Sequence, residues 1–193
     1  MATIVAGGAL SHSPLMNLDV PEGERESVAA FRDAARALGE RIRAARPDVV
    51  VVCAQDHFRS VYYNNMPAFL IGTGDVTRLG DWHGPAGPLP VHPELARYLA
   101  RGLFARGFEP SLSYDLKVDH GTAQVLELLG LEDVPVIPVL VNAAAPPLPT
   151  PARCYDFGRA LGAAVESYPG ALRVAVVGSG GLSHAPLKVA IET

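Results

Sequence analysis

The sequence predicts an α/β fold organised on a central, largely parallel sheet, and three observations carry that prediction. The stretch 48–57 reads Asp-Val-Val-Val-Val-Cys-Ala-Gln-Asp-His. Four consecutive valines are too β-branched and too short a run for a helix, and unbroken apolarity is what a strand buried on both faces of a parallel sheet requires. Further apolar runs at 134–141 and 172–177 alternate with segments of helical period, the order that builds βαβ units. Finally, 193 residues with 49% hydrophobic content can bury about two-thirds of the unfolded surface in one core, so residues 1–193 are expected to form a single domain.

Each element follows from local pattern. Thr3–Ala6 is a short first strand that runs through Gly7-Gly8 into Leu10-Ser11-His12-Ser13-Pro14. Paired glycines allow close backbone approach and Pro14 stiffens the turn beyond, which holds His12 at a strand's end. Glu22–Arg46 repeats apolar residues (Val28, Phe31, Ala35, Leu38, Ile42) with a period near 3.6 and meets Pro47 directly after, the signature of a helix and its stop. The valine strand then delivers Gln55, Asp56 and His57.

Beyond the aromatic and amide-rich Tyr62-Tyr63-Asn64-Asn65, Ala68–Gly72 reads as a strand. Gly72–Pro90, around Asp81-Trp82-His83, holds too many breakers for regular structure and reads as either a functional lid or a mobile segment. Pro93–Arg106 is a helix with Leu95, Tyr98, Leu99 and Leu103 on one face, and Pro110–Leu116 is a strand. Val118-Asp119-His120-Gly121 opens a helix through Leu129, so His120 stands at a helix N-terminus, where the neutral imidazole is favoured. Val134–Val141 is a buried strand, and Thr150–Ser167 is a helix with Pro151 at its first position. Leu172–Val177 is the last strand and ends in Gly178-Ser179-Gly180-Gly181-Leu182-Ser183-His184.

Composition excludes several classes. A net charge of −4 with 16 scattered basic residues leaves no stripe to neutralise a phosphate backbone, so no nucleic acid is expected as partner. No apolar run approaches the ~20 residues of a membrane span, and the N-terminus lacks a basic leader, so neither a membrane nor a signal segment is expected. Cys53 and Cys154 are the only cysteines, one within the valine strand and one in a helix, which points to a reducing cytoplasm instead of a disulfide framework. The Gly178–Gly181 turn lacks both the Gly-x-Gly-x-x-Gly spacing and a P-loop lysine, so it is no phosphate cradle.

Chemistry concentrates in histidine. Of six histidines, His83 and His92 fall in the irregular stretch and read as exposed loop residues. His12, His57, His120 and His184 each follow a strand or open a helix, and in open α/β sheets the carboxyl ends of strands are where ligands bind. Imidazole suits Fe, Zn, Cu and Ni, so two of the four can hold a divalent metal while two transfer protons.

The pieces Leu10-Ser11-His12-Ser13-Pro14, Gln55-Asp56-His57, Met66-Pro67-Ala68-Phe69, Val118-Asp119-His120-Gly121 and Gly178–His184 stand in order along the chain. In these motifs the sequence resembles the class III extradiol ring-cleavage dioxygenases, the LigB-like family. The resemblance implies a three-layer α/β/α fold with a central, largely parallel (mixed) sheet. It implies an Fe(II) enzyme of aromatic compound catabolism that inserts both atoms of O2 into a catechol. Carried over by motif, His12 and His57 are the metal ligands, His184 is the base that helps deprotonate the catechol and steer oxygen, and His120 is an acid/base partner. Asp56, Tyr63, Gly180 and Gly181 are expected at the substrate, and the family's habit implies a homo-oligomer.

One departure stands out. The family's third ligand is a glutamate several tens of residues beyond the last histidine motif, whereas this sequence ends at Thr193, nine residues after His184. Glu192 is too near that motif to serve. The expectation is a chain lacking a C-terminal portion of the family fold; otherwise Asp56 or a partner chain's carboxylate takes the third place. Two alternatives use the same residues: a Zn(II)-dependent hydrolase with an activated water, and a catalytically silent LigB-like subunit without the third ligand.

Overall fold

The computed structural model describes residues 1–180. The valine stretch forms β2 (Val49–Ala54), and all four valines are fully buried. Because successive side chains in a strand point to opposite faces, β2 serves two cores at once. Val49 and Val51 pack on one side with Leu95, Leu99, Leu103, Leu161 and Val165, while Val50 and Val52 pack on the other with Ile42, Val125, Leu126 and Leu129.

Those partners define the two helical layers. On one face lie α2 (Pro93–Phe104) and α4 (Pro151–Glu166); on the other lie α1 (Arg25–Ala44) and α3 (His120–Leu129). This is the expected α/β/α sandwich. The long helix begins three residues later than its pattern suggested, because Glu22–Glu24 forms a separate 3-10 turn. Thr150 caps α4 by accepting from the Arg153 N–H at 3.2 Å, which satisfies one of the helix's orphan donors.

The remaining strands are β1 (Thr3–Leu10), β3 (Phe69–Leu79), β4 (Ala86–Pro88), β5 (Ser111–Val118), β6 (Val136–Val141) and β7 (Arg173–Ser179). The sheet runs β1-β7-β2-β6-β3-β4, with β5 on the other side of β3. β1, β7, β2 and β6 are mutually parallel, whereas β3 is antiparallel to β6 and β4 and parallel to β5. The sheet is therefore mixed. The parallel half brings the ends of β1, β2 and β7 to one edge.

Two expectations about the middle of the chain are corrected. Gly72–Pro90 is not irregular throughout, since β3 continues to Leu79 and β4 follows at Ala86–Pro88. Pairing on both sides overrides the local breakers: β5 flanks β3 along its length, with a bulge between Gly72 and Asp75, and β4 pairs Thr77–Leu79. His92 is not a loose loop residue either. Its side chain caps α2, accepting from the Leu95 N–H at 3.2 Å.

Candidate metal centre

β1 and β2 each end a few residues before a histidine, and both strands are held rigidly by β7 between them. The loop after β1 is pinned by a fully buried Gln124, which accepts from the Ser13 N–H and donates to the Ser13 carbonyl, both at 2.9 Å. This leaves little freedom to His12. His12 Nε2 and His57 Nε2 lie 3.4 Å apart, with the rings at 83° to one another.

The protonation of both rings follows from their outer nitrogens. Ser179 Oγ donates to the Gly121 carbonyl, so it must receive the hydrogen of His12 Nδ1, 2.8 Å away. His57 Nδ1 donates to Asp119 Oδ2 at 2.8 Å. Each imidazole is thereby the Nδ1–H tautomer and presents an Nε2 lone pair to the other. Two nitrogens each about 2.1 Å from one ion are about 3.0–3.4 Å apart for angles between 90° and tetrahedral, so the observed spacing fits a shared metal. Acceptors on the outer nitrogens are also the usual support of metal-bound imidazole.

Asp119 is the hinge of this arrangement. One oxygen accepts from both the backbone N–H and Nδ1 of His57, each at 2.8 Å, and the other caps α3 by accepting from the Gly121 N–H at 2.9 Å. Burial pushes its carboxyl up, but the two hydrogen bonds from His57 and the electrostatic attraction of the His57 and His120 rings outweigh burial and hold it below the ordinary range. Gly121 admits no side chain, since a Cβ there would lie 2.8 Å from the Gln55 carbonyl oxygen and 3.2 Å from the His57 ring.

His120 joins the cluster from the first turn of α3. One nitrogen from each of His12, His57 and His120 lies within 4.8 Å of the others, a set able to hold a metal ion. His120 is, however, stacked on His57, with centroids 4.3 Å apart and planes at 21°. Stacked rings direct their edges side by side, so these two do not converge on one point as His12 and His57 do. His120 Nδ1 meets Asp81 Oδ2 at 2.6 Å. It does not arrive by the sheet's parallelism, because β5, which precedes it, runs in the opposite sense to β2.

The other expected site residues are distributed unevenly. Asp56 turns its carboxylate into its own loop, where it accepts from the backbone N–H groups of Arg59, Ser60 and Val61 at 2.9–3.2 Å. Desolvation by burial raises it, against those three bonds. Tyr63 is exposed and stacks on Phe58 at 4.9 Å. Gly180 donates to the Leu10 carbonyl at 3.1 Å, has φ of 130°, and a Cβ there would come within 3.0 Å of Gln55 Oε1. Gly181 and His184 lie outside the described residues.

Sequence reasoning left four participants unassigned: Gln55, Asp81, Asp119 and Ser179. Gln55 Nε2 lies 3.5 Å from both His12 Nε2 and His57 Nε2. Of the four, only Asp119 had a usable signal, as an Asp directly before a helix start is the pattern of an N-cap.

Fold and site together define an α/β protein in which His12, His57 and His120 form a cluster able to hold a metal ion. The sequence matches, over residues 7–190, the family described as the catalytic LigB subunit of aromatic ring-opening dioxygenase, and the chain belongs to that family. It is 42% identical over 181 residues to a 2,3-dihydroxyphenylpropionate/2,3-dihydroxicinnamic acid 1,2-dioxygenase of Klebsiella pneumoniae. It is 43% identical over 182 residues to one of Escherichia coli K12. Either match covers 92% of this chain but 55% of the relative, so the chain spans about half the length of those proteins. In fold it resembles the crystal structure of an uncharacterized protein of Escherichia coli K12, with TM-score 0.55, 22% identity and coverage of 92% of this chain and 61% of the other.

Proposed function

We propose that this chain is the catalytic part of a non-haem Fe(II)-dependent extradiol dioxygenase that opens a catechol-type ring with O2. The observation that carries the reading is the pair of Nε2 lone pairs of His12 and His57, 3.4 Å apart and backed by Ser179 and Asp119. The named activity of the relatives supports the substrate class, a catechol bearing a short carboxylate chain. The overall change adds one molecule of O2 to one of catechol: the carbon–carbon bond beside the hydroxyls breaks, both oxygen atoms stay in the product, and no further reductant is consumed.

His12 and His57 would hold the metal through their Nε2 atoms. Fe(II), when bound, supplies a Lewis-acid centre and the reducing electron that dioxygen chemistry needs. The chain supplies the proton movements: a catechol must lose protons to chelate a metal, and ring opening later returns one. His184 takes a hydroxyl proton, and His120, backed by Asp81, serves as its partner in acid/base transfer. Gly180, Gly181 and Tyr63 are the residues proposed to meet the substrate. A cytoplasmic homo-oligomer is part of this proposal, and two free thiols agree with a reducing compartment. Among the described residues, no helix is long and apolar enough to cross a membrane.

The test is anaerobic loading with Fe(II), then admission of O2 with 2,3-dihydroxyphenylpropionate and a panel of simpler catechols. The expected result is a yellow ring-opened product with one O2 consumed per catechol. Iron-loaded protein that consumes no O2 with any catechol rejects the reading. Activity supported by zinc, with no O2 uptake, would assign the histidines to hydrolysis instead.

A further inference from the structure

Asp81 lies on a turn that reads from sequence as part of an irregular connector, yet its surroundings are highly specified. Its Oδ2 sits 2.6 Å from His120 Nδ1, and both side chains are largely buried, at 12% and 4% exposure. The same oxygen lies 3.8 Å from Arg59 Nε. Arg59 is carried by the loop that Asp56 ties together through its backbone N–H groups. Two separate segments, 56–61 and 80–84, thus meet over one carboxylate.

The turn that carries Asp81 is costly. Trp82 and His83 both take left-handed backbone conformations, with φ of 53° and 57°. Such conformations in bulky residues cost about 1–3 kcal/mol each and persist where the surrounding structure demands them. Both side chains are exposed, so the turn does not serve to bury them. What it achieves is the placement of Asp81 against His120.

We propose that Asp81 is a positioning residue for His120. A carboxylate only accepts hydrogen bonds, so contact at Nδ1 fixes the neutral ring as the Nδ1–H tautomer. Nε2 is then the lone-pair nitrogen, and the ring is held stacked on His57. Arg59 Nε stands 3.8 Å from the same carboxylate oxygen. This rests on the dioxygenase reading only for its consequence in turnover; the tautomer itself is a property of the metal-free chain.

The experiment labels the metal-free chain with 15N-histidine and records long-range proton–nitrogen correlations, with the His120 signals assigned by His120→Gln. Wild-type His120 is expected to carry its proton on Nδ1, and Asp81→Ala, checked by circular dichroism, to convert it to a mixture dominated by Nε2–H. In the iron-loaded enzyme, Asp81→Ala should lower kcat ~10–100-fold, the usual cost of losing an imidazole's outer partner, with KM changed less than about threefold. A wild-type His120 protonated on Nε2 overturns the inference without any variant, as does an Asp81→Ala pattern identical to wild type. Full turnover in Asp81→Ala rejects the inference and leaves the dioxygenase reading intact. A tautomer change in a chain that opens no catechol rejects the dioxygenase reading and leaves the placement of Asp81 standing.

Discussion

Asp119→Ala is the most revealing single substitution, because one buried side chain serves both the fold and the candidate metal centre. It removes three hydrogen bonds: two to His57, from its backbone N–H and its Nδ1, and one to the Gly121 N–H. Hydrogen bonds to a charged group contribute about 1.5–3 kcal/mol each, and an N-cap about 1 kcal/mol. At the lower end the loss is about 4 kcal/mol, a large part of the roughly 5–15 kcal/mol that typically holds a domain together. Asp119→Asn keeps one acceptor oxygen but turns an N–H2 group toward a donor, so it should cost less, about 2–3 kcal/mol. With Nδ1 no longer oriented, metal affinity should fall ~10–100-fold in Asp119→Asn, or about 1.4–2.7 kcal/mol. Urea unfolding followed by circular dichroism measures the first quantity, and anaerobic Fe(II) titration of the folded variant the second. An Asn variant that binds metal within twofold of wild type would refute the claim that the Asp119 bond sets the His57 lone pair.

His12→Ala should empty the metal site, whereas His184→Ala should keep the metal and slow turnover by ~10²–10⁴; metal content by mass spectrometry beside O2 uptake separates the two. Gly39→Ala should destabilise by about 1–3 kcal/mol, since a Cβ would lie 2.0 Å from the Leu129 carbonyl oxygen where α1 crosses α3. Helix propensity alone predicts the opposite sign, a gain of about 1 kcal/mol, so a thermal melt decides between packing and propensity. Burial pushes the Cys53 thiol from 9.0 up to about 11, so its contribution is complete below pH 9 and is lost as pH rises through about 11. At ~1.36 kcal/mol per pH unit, stability should fall by about 2–3 kcal/mol across that window, and Cys53→Ala should flatten that part of a pH series of urea midpoints.

The parts of the fold that were legible in the sequence are those specified locally. Four valines cannot make a half-exposed strand, so β2 and its two-sided burial followed from composition alone. His12 and His57 drew notice because each sits just past a strand, although β1, at the sheet edge, is exposed to half-buried where β2 is buried. The extension of β3 to Leu79 was not legible. Gly72 and Gly74 look like breakers when read one at a time, but a Cβ at Gly74 would lie 2.2 Å from the Tyr114 carbonyl oxygen. That glycine is required by the close approach of β5, a partner some forty residues away whose pairing no local pattern encodes. Asp56 shows the converse case. Adjacency to His57 suggested chemistry, while its short carboxylate found the backbone N–H groups three to five residues on, the ordinary behaviour of Asp in a loop.

The division of labour in the pocket follows from these origins. The proposed metal donors stand just beyond the parallel strands β1 and β2, and their outer nitrogens are engaged by Ser179 and Asp119. His120 comes instead from the start of a helix, and its partner Asp81 from a strained turn between β3 and β4. A metal ligand tolerates little displacement, whereas a proton carrier must follow its substrate between two states of charge. Arg59 and Asp81 stand on segments joined by a side-chain contact, outside the ladder of β1, β7 and β2. Substitutions at Arg59 or Asp81 should therefore alter turnover while leaving metal affinity unchanged, and substitutions at Ser179 or Asp119 should alter both.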